Sequence, residues 1–164
     1  MVTKSHCCHL CVGVDMSLEL YDGGLDVPQI LKKWYQSESK SNYGAFIPFV
    51  GTIRDEDSIE GLSFDIYEPI LMSWFEAWQK KAQSRGAVIK MAHSRGDVML
   101  HESSYISAVF SPKRRVALEL IDEFVEDFKA SAPIWKYDLK NGKRIYAADR
   151  STAIGGSGIL GEKI

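Results

Sequence analysis

The spacing of apolar residues changes at Pro69, and this change constrains the fold more than any other feature of the chain. Residues 62–67 alternate apolar and polar side chains, and a period of two places one face of a β-strand in a core. From Ile70 to Ala82, large apolar residues recur at helical spacing, and Gly86 ends that segment. A strand followed directly by a helix predicts a sheet that is covered by helices.

The same two periods alternate along most of the chain. The segments follow the order β-α-β-β-α-β-β-α-β-β, without repeats or low-complexity tracts. Asp26 is predicted to cap the first helix and Ser111 the last, each followed by a proline in the first turn. This order predicts an α+β fold, a mixed sheet with helices packed on one side and a small β subdomain. The strand at residues 62–67 is expected to pair with the strand before it.

Turn residues refine this topology. Pro48 lies within the β-rich stretch YGAFIPFVGTIR and, because it has no N–H, favours an edge strand or a bulge. Asn141-Gly142 suits a tight reversed turn, so the segments IWKYD and KRIYA are predicted to form a hairpin. Between residues 87 and 111, two or three strands are expected, joined through Arg95-Gly96 and Glu102-Ser103.

A length of 164 residues with 45% hydrophobic content fits one domain, which we predict to span residues 16–151. Residues 1–15 are predicted to be a disordered leader, and residues 152–164 a mobile tail rich in Gly and Ser. All three cysteines, Cys7, Cys8 and Cys11, lie in the leader motif HCCHLC. Because their number is odd and no second ligand pair follows, we predict neither a disulfide framework nor a metal site.

The charge balance limits the partners of the protein. A formal net charge of −2 and a pI of about 6.1 argue against a broad surface for nucleic acid or for an anionic membrane. Any basic site must therefore be compact. No apolar run reaches the roughly 20 residues of a membrane span, and the first residues lack the order of a secretory signal. The expected compartment is the cytoplasm.

The stretch KASAPIWK places two lysines on either side of a proline. Lys129 falls in the last predicted turn of a helix, where a cation is favoured by the helix dipole and can be purely structural. Pro133 ends the helix, so Lys136 leaves on an extended segment that can run back beside the helix end. The two ammonium groups can then face one cleft, which is one route to a lysine that acts as a nucleophile or a general base.

Further basic residues are candidates for the same site. Arg54 ends a strand, where it can hold a phosphate or a carboxylate or can simply pair with Asp55 or Glu56. Lys113 and Arg114 open the last helix.

Other familiar arrangements are missing from the sequence. No phosphate-binding glycine loop or nucleophile elbow occurs. His93 and His101 are isolated in strand-like stretches and are interpreted as core or surface residues rather than ligands.

The segments FVGTIRDED, FDIYE, PILMSWFEAW, MAHSRGDV and FKASAPIWK together resemble the large, catalytic subunit of molybdopterin synthase, the MoaE family. The similarity runs from about Met16 to Ser151, and the Lys-x-x-Ala-Pro-hydrophobic-Trp-Lys signature is its most specific part. The resemblance implies an α/β hammerhead fold, a dimeric core and no cofactor of its own.

The activity that this resemblance implies is sulfur transfer in molybdenum cofactor biosynthesis. A small ubiquitin-like subunit inserts its C-terminal Gly-Gly thiocarboxylate, and sulfur passes to cyclic pyranopterin monophosphate to form a dithiolene. Lys129 and Lys136 match the two functional lysines of the family. Arg54 and Arg114 match positions that contact the anionic substrate.

The sequence departs from the family pattern at two of these positions. Lys113 stands where the family commonly has a histidine before the arginine, so a lysine would take over any role of that histidine. Arg150 is the nearest match to an arginine that reaches the neighbouring protomer's site, although Asp149 occupies the expected place.

A non-catalytic module that binds a ubiquitin-like protein or a phosphorylated metabolite remains the alternative function.

Overall fold

The computed structural model describes residues 17–147, which form seven strands and three helices. In chain order these are β1 (Leu18–Asp22), α1 (Val27–Ser37), β2 (Ala45–Thr52), β3 (Gly61–Ile66), α2 (Glu68–Ser84), β4 (Val88–Met99), β5 (Ser103–Ser111), α3 (Arg114–Ser131), β6 (Ile134–Lys140) and β7 (Lys143–Tyr146). The predicted order of elements and the α+β class are confirmed. Within these residues, no helix has the length and apolar character needed to cross a membrane.

The long strand β4 organises the sheet, whose order is β2-β5-β4-β3-β6-β7. The first half of β4 pairs with β5 and, in parallel, with β1, whereas its second half pairs with β3. The predicted junction at Arg95-Gly96 lies inside β4, because Gly96 adopts a positive φ of 69° and lets the strand continue. β2 is an edge strand, as Pro48 indicated.

The expected pairing of β3 with β2 is wrong. β3 pairs antiparallel with β4 and with β6. Residues 53–60 carry the chain from the β2 edge across to the other half of the sheet. Ile53 and Ile59 of this loop pack against Leu62 and Val98, so a separate apolar cluster holds the crossing in place.

Helices cover both faces of the sheet, so the prediction that they pack on one side is wrong. Ile30 and Trp34 of α1 pack on one face against a cluster that includes Ile106 and Phe110. Helices α2 and α3 pack on the other face, against Ile89, Met91 and Val109. The physical reason is that β5 is buried along its whole length, so alternate side chains on both faces need cover.

Of the two predicted helix caps and the predicted hairpin turn, the structure confirms one cap and the turn. Asp26 caps α1, where its Oδ1 accepts from the amide of Gln29 at 3.1 Å. Ser111 does not cap α3, since that helix begins at Arg114 with Lys113 as its cap residue, and the Ser111 hydroxyl bonds to Lys113 backbone atoms instead. The Asn141-Gly142 turn joins β6 and β7, and both residues have the positive φ values of a reversed turn.

Candidate active site

A cleft of about 640 Å³ opens where the two halves of the sheet meet the end of α3. Its walls come from β2 and the segment after it, from β3, β4 and β5, from the last turn of α3 and from β6. The polar lining residues are Thr52, Arg54, Glu56, His93, Ser104, Tyr105, Lys129 and Lys136. The remaining lining residues are apolar side chains and one glycine, so a charged ligand would meet a few cations among apolar groups.

Lys129 and Lys136 both line this cleft, an arrangement that the sequence allowed. Lys129 lies in the last turn of α3, its side chain is 63% exposed, and its ammonium is 3.7 Å from the carboxylate of Glu126. Lys136 lies on β6 directly opposite Phe64 of β3. The turn at Pro133 therefore brings β6 back beside the end of α3, and the fold holds both lysines at one cavity.

Arg54 lines the same cleft and also forms an ion pair with Glu56. The structure therefore shows one of the two alternatives for Arg54, the pair with a loop acid, while its position in the cleft lining is the one that the other alternative, binding of an anion, requires. Because its side chain is 78% exposed, this ion pair is weak and can exchange for an anionic ligand.

His93 is a lining residue whose place in the site the sequence reasoning missed. The side chain is buried on β4, and its Nδ1 lies 2.7 Å from the carbonyl oxygen of Ser94. Burial lowers the pKa of His93 to about 4; the hydrogen bond to Ser94 opposes this shift, and the charge of Lys136 adds to it. The only sequence signal was an alternation that puts residue 93 on the same face of β4 as the core residues Ile89 and Met91.

Aromatic rings surround His93 and form one wall of the cleft. Phe64 meets the imidazole edge-on at a centroid distance of 5.0 Å, and Phe128 lies 5.6 Å away. Tyr105 stacks on Phe128 at 4.1 Å and is directly opposite His93 in the β4–β5 register. Burial raises the pKa of the Tyr105 hydroxyl, so this group stays neutral.

The structure does not bring Lys113 and Arg114 to this cleft, since neither lines it. They stand at the beginning of α3, and the fifteen residue steps from Arg114 to Lys129 correspond to about 22 Å along a helix. Arg150 lies outside the described residues, as do Cys7, Cys8 and Cys11. Within residues 17–147, no group of three or more His, Cys, Asp or Glu side chains could hold a metal ion.

Comparison with known proteins supplies the family. The family model described as "MoaE protein" matches residues 23–131, a span that includes Arg54, His93 and Lys129. The chain belongs to the MoaE family. This match covers most of the cleft wall, although it ends before Lys136.

Curated MoaE relatives extend the similarity over nearly their whole length. The molybdopterin synthase catalytic subunit of Helicobacter pylori strain 26695 is 51% identical over 143 residues, which cover 87% of this chain and 99% of that protein. The protein of the same name from Helicobacter pylori strain J99 is 42% identical over the same shares of the two chains. A Dictyostelium discoideum molybdopterin synthase catalytic subunit is 31% identical over 66% of this chain and 73% of that protein.

Solved structures agree with the fold. A chain from the complex of subunits 1 and 2 of the molybdopterin-converting factor of Helicobacter pylori 26695 has a TM-score of 0.83 at 50% identity, covering 88% of this chain and 99% of that chain. Molybdopterin synthase from Staphylococcus aureus has a TM-score of 0.67 at 20% identity, covering 78% of this chain and 94% of that chain, and supports the fold alone.

Proposed function

We propose that this chain is the catalytic subunit of a molybdopterin synthase, which transfers sulfur from a small ubiquitin-like subunit to cyclic pyranopterin monophosphate. The observation that carries this proposal is the meeting of Lys129 and Lys136 in one cleft of a chain that belongs to the MoaE family. The product is the dithiolene of molybdopterin. The chain acts as an enzyme of molybdenum cofactor biosynthesis, and we place it in the cytoplasm because its relatives are biosynthetic enzymes.

The sulfur comes from the partner, because the described residues of the cleft include no thiol. The C-terminal Gly-Gly thiocarboxylate of the small subunit enters as an extended segment, and its glycines pass where larger side chains would not. A complex of the two subunits is known for the Helicobacter pylori relative, which supports this partner.

The two lysines take different parts in the proposed reaction. Lys129, at the more open end of the cleft, contacts the thiocarboxylate and stabilises negative charge as the acyl intermediate collapses. Lys136 lies beside the buried aromatic wall and serves substrate binding or proton transfer at the pterin. Arg54 anchors the anionic substrate by exchanging its ion pair with Glu56 for a pair with the substrate phosphate.

Lys113, Arg114 and Arg150 are proposed substrate-binding residues of a dimer. Since about 22 Å of helix separates Arg114 from Lys129, a single chain cannot place both on one small substrate. In a homodimer, the helix start of one copy can reach the cleft of the other. We therefore assign Lys113 and Arg114, and with them Arg150, to the neighbouring protomer's site.

The test combines the purified chain with the thiocarboxylated small subunit and cyclic pyranopterin monophosphate, and measures the dithiolene product by mass spectrometry. Wild type, Lys129→Ala and Lys136→Ala are compared, and Lys140→Ala, on the same strand as Lys136, is the matched control. We expect a loss of at least about a hundredfold in turnover for the two cleft variants, because a preorganised charge at the reacting group is removed.

The affinity of each variant for the small subunit is measured in parallel. Lost turnover with retained affinity supports the enzyme. A Lys129→Ala variant that loses only affinity would favour the non-catalytic binding module. Variants as active as wild type would show that both lysines are ordinary surface residues.

A further inference from the structure

The proposed chemistry gives no role to the imidazole of His93. Its side chain is only 2% exposed, yet it is part of the cleft lining together with both lysines. The rings of Phe64, Phe128 and Tyr105 fix its orientation from three sides. A polar ring that is held this rigidly beside a cavity is placed to meet whatever fills the cavity.

The hydrogen bond to Ser94 determines which nitrogen can act. Nδ1 lies 2.7 Å from the Ser94 carbonyl oxygen, and a carbonyl oxygen only accepts, so Nδ1 carries the proton. In the neutral ring, Nε2 is then an acceptor with a lone pair. A proton taken up by this ring must bind to Nε2, which would turn that atom from an acceptor into a donor.

The charges around His93 keep the ring neutral while the cleft is empty. Lys136 faces it from β6, Lys129 lines the same cavity from α3, and Arg54 and Glu56 line it from the segment after β2. Tyr105, from β5, is neutral, and the rings of Phe64 and Phe128 carry no charge. With burial and Lys136 both disfavouring the imidazolium, a further positive charge in this cavity is costly.

An anion in the cleft reverses this balance. A carboxylate or thiocarboxylate bound near Lys129 and Lys136 adds a negative charge beside the buried ring of His93, and beside a buried group such a charge acts more strongly than it does in water. We propose that His93 binds a proton from solvent when the anionic C-terminus of the small subunit enters the cleft, and that Nε2–H then donates to that anion. The proposal rests on the proposed function for the identity of the anion, and it assigns to the site a donor that forms only in the complex.

Proton linkage makes this proposal measurable. If the anion raises the proton affinity of His93 tenfold or more, the same factor appears as tighter binding of the anion at low pH. This linkage fixes the direction in which the affinity for the anion changes with pH. Affinity is highest below the pKa of His93 in the complex and falls as the pH rises through that value, towards the affinity for the neutral ring.

The experiment uses the full chain and the small ubiquitin-like subunit ending in a Gly-Gly carboxylate, a stable probe for the thiocarboxylate. Calorimetric titrations at about pH 5, one unit above the pKa of about 4 that His93 has in the free chain, are run in two buffers of different ionisation enthalpy and report the protons taken up on binding. A small subunit that lacks the two glycines is the control for contacts outside the cleft. His93→Gln, which keeps a polar side chain but cannot be charged, is compared with His101→Gln at an exposed histidine.

Nitrogen-15 spectra of histidine-labelled wild type provide a second measurement that needs no folded variant at position 93. We expect His93 to show the Nδ1–H tautomer in the free chain and an imidazolium in the complex, with proton uptake that His93→Gln abolishes and His101→Gln retains. Tight binding without uptake, or with uptake unchanged in His93→Gln, would overturn the role of His93 and leave the sulfur-transfer proposal intact. A failure of the small subunit to bind would overturn both.

Discussion

At the scale of single residues, the side chains that line the cleft differ in how firmly the fold holds them. His93 is buried and fixed by backbone and rings, whereas Arg54 is mostly exposed and is held by one ion pair. The rigid residue is placed to set the protonation of the site. The exposed residue is placed to capture a charged substrate as it arrives.

The neutral state of His93 has a consequence for folding. Its pKa is about 4 in the folded chain, against 6.5 for an ordinary histidine, so the unfolded chain binds more protons between these two pH values. The free energy of unfolding should therefore fall as the pH falls from 6.5 to 4, and His93 should contribute up to about 3 kcal/mol of that fall. Urea denaturation at several pH values measures it.

His93→Gln is the comparison that isolates this contribution, since part-buried carboxylates with a lowered pKa, such as Glu19, also contribute stability that is lost in acid. The variant should show a shallower dependence of unfolding free energy on pH in this window. Parallel curves for the two proteins would contradict the assignment of a neutral buried imidazole.

Arg54 should affect substrate capture more than the chemical step. Arg54→Ala is expected to raise KM for cyclic pyranopterin monophosphate by about tenfold with a smaller change in kcat, because a charge-assisted contact of the ground state is lost. Steady-state kinetics measures both. Glu56→Gln, which removes the competing carboxylate, is the control and should lower KM or leave it unchanged.

At the scale of elements, α2 and α3 are joined by a polar contact within an apolar seam. The indole N–H groups of Trp74 and Trp78 both donate to Oδ2 of Asp127, at 2.8 and 2.7 Å. Although burial alone would raise the pKa of Asp127, the hydrogen bonds from Trp78, Ser131 and Trp74 lower it. This carboxylate fixes α3 against α2 one turn before the helix end that carries Lys129.

Removing the carboxylate leaves two indole donors without their acceptor. Asp127→Ala should lower the free energy of unfolding by about 1–3 kcal/mol, the usual cost of partly buried unpaired donors. Asp122→Ala, at an exposed position on the same helix, is the matched control and should stay within about 0.5 kcal/mol of wild type. Equal stabilities for the two variants in urea denaturation would rule out this role for Asp127.

At the scale of the whole molecule, α3 spans the distance between two groups of basic residues. Lys129 is at its end beside the cleft, and Lys113 and Arg114 are at its beginning. One chain therefore presents half of a proposed site at each end of this helix. On the proposed assignment of Lys113 and Arg114, a complete site requires a second copy.

Mixed dimers test this arrangement. Lys129→Ala and Arg114→Ala should each abolish most sulfur transfer when assayed alone. After the two variants are unfolded together and refolded as an equal mixture, half of the dimers are heterodimers, and each carries one intact site and one doubly altered site. Activity should recover to about a quarter of wild type, whereas sites built within single chains would give no recovery.

The features that could be predicted from the sequence are local. The order of the ten elements, the Asp26 cap and the Asn141-Gly142 turn follow from residues within a few positions of one another. The lysines of KASAPIWK belong to this group too, because Pro133 ends α3 wherever the rest of the chain lies. Near-neighbour sterics and hydrogen bonding suffice to specify such features.

The way in which these pieces meet is set by tertiary contacts. The pairing of β3 with β4 and β6, and the placement of α1 opposite α2 and α3, depend on contacts between residues far apart in the chain, which no local period encodes. The role of His93 has the same origin. In the sequence it is one more residue of an apolar strand, and it becomes part of a charged cleft because β6 returns beside β3 and brings Lys136 close to its ring.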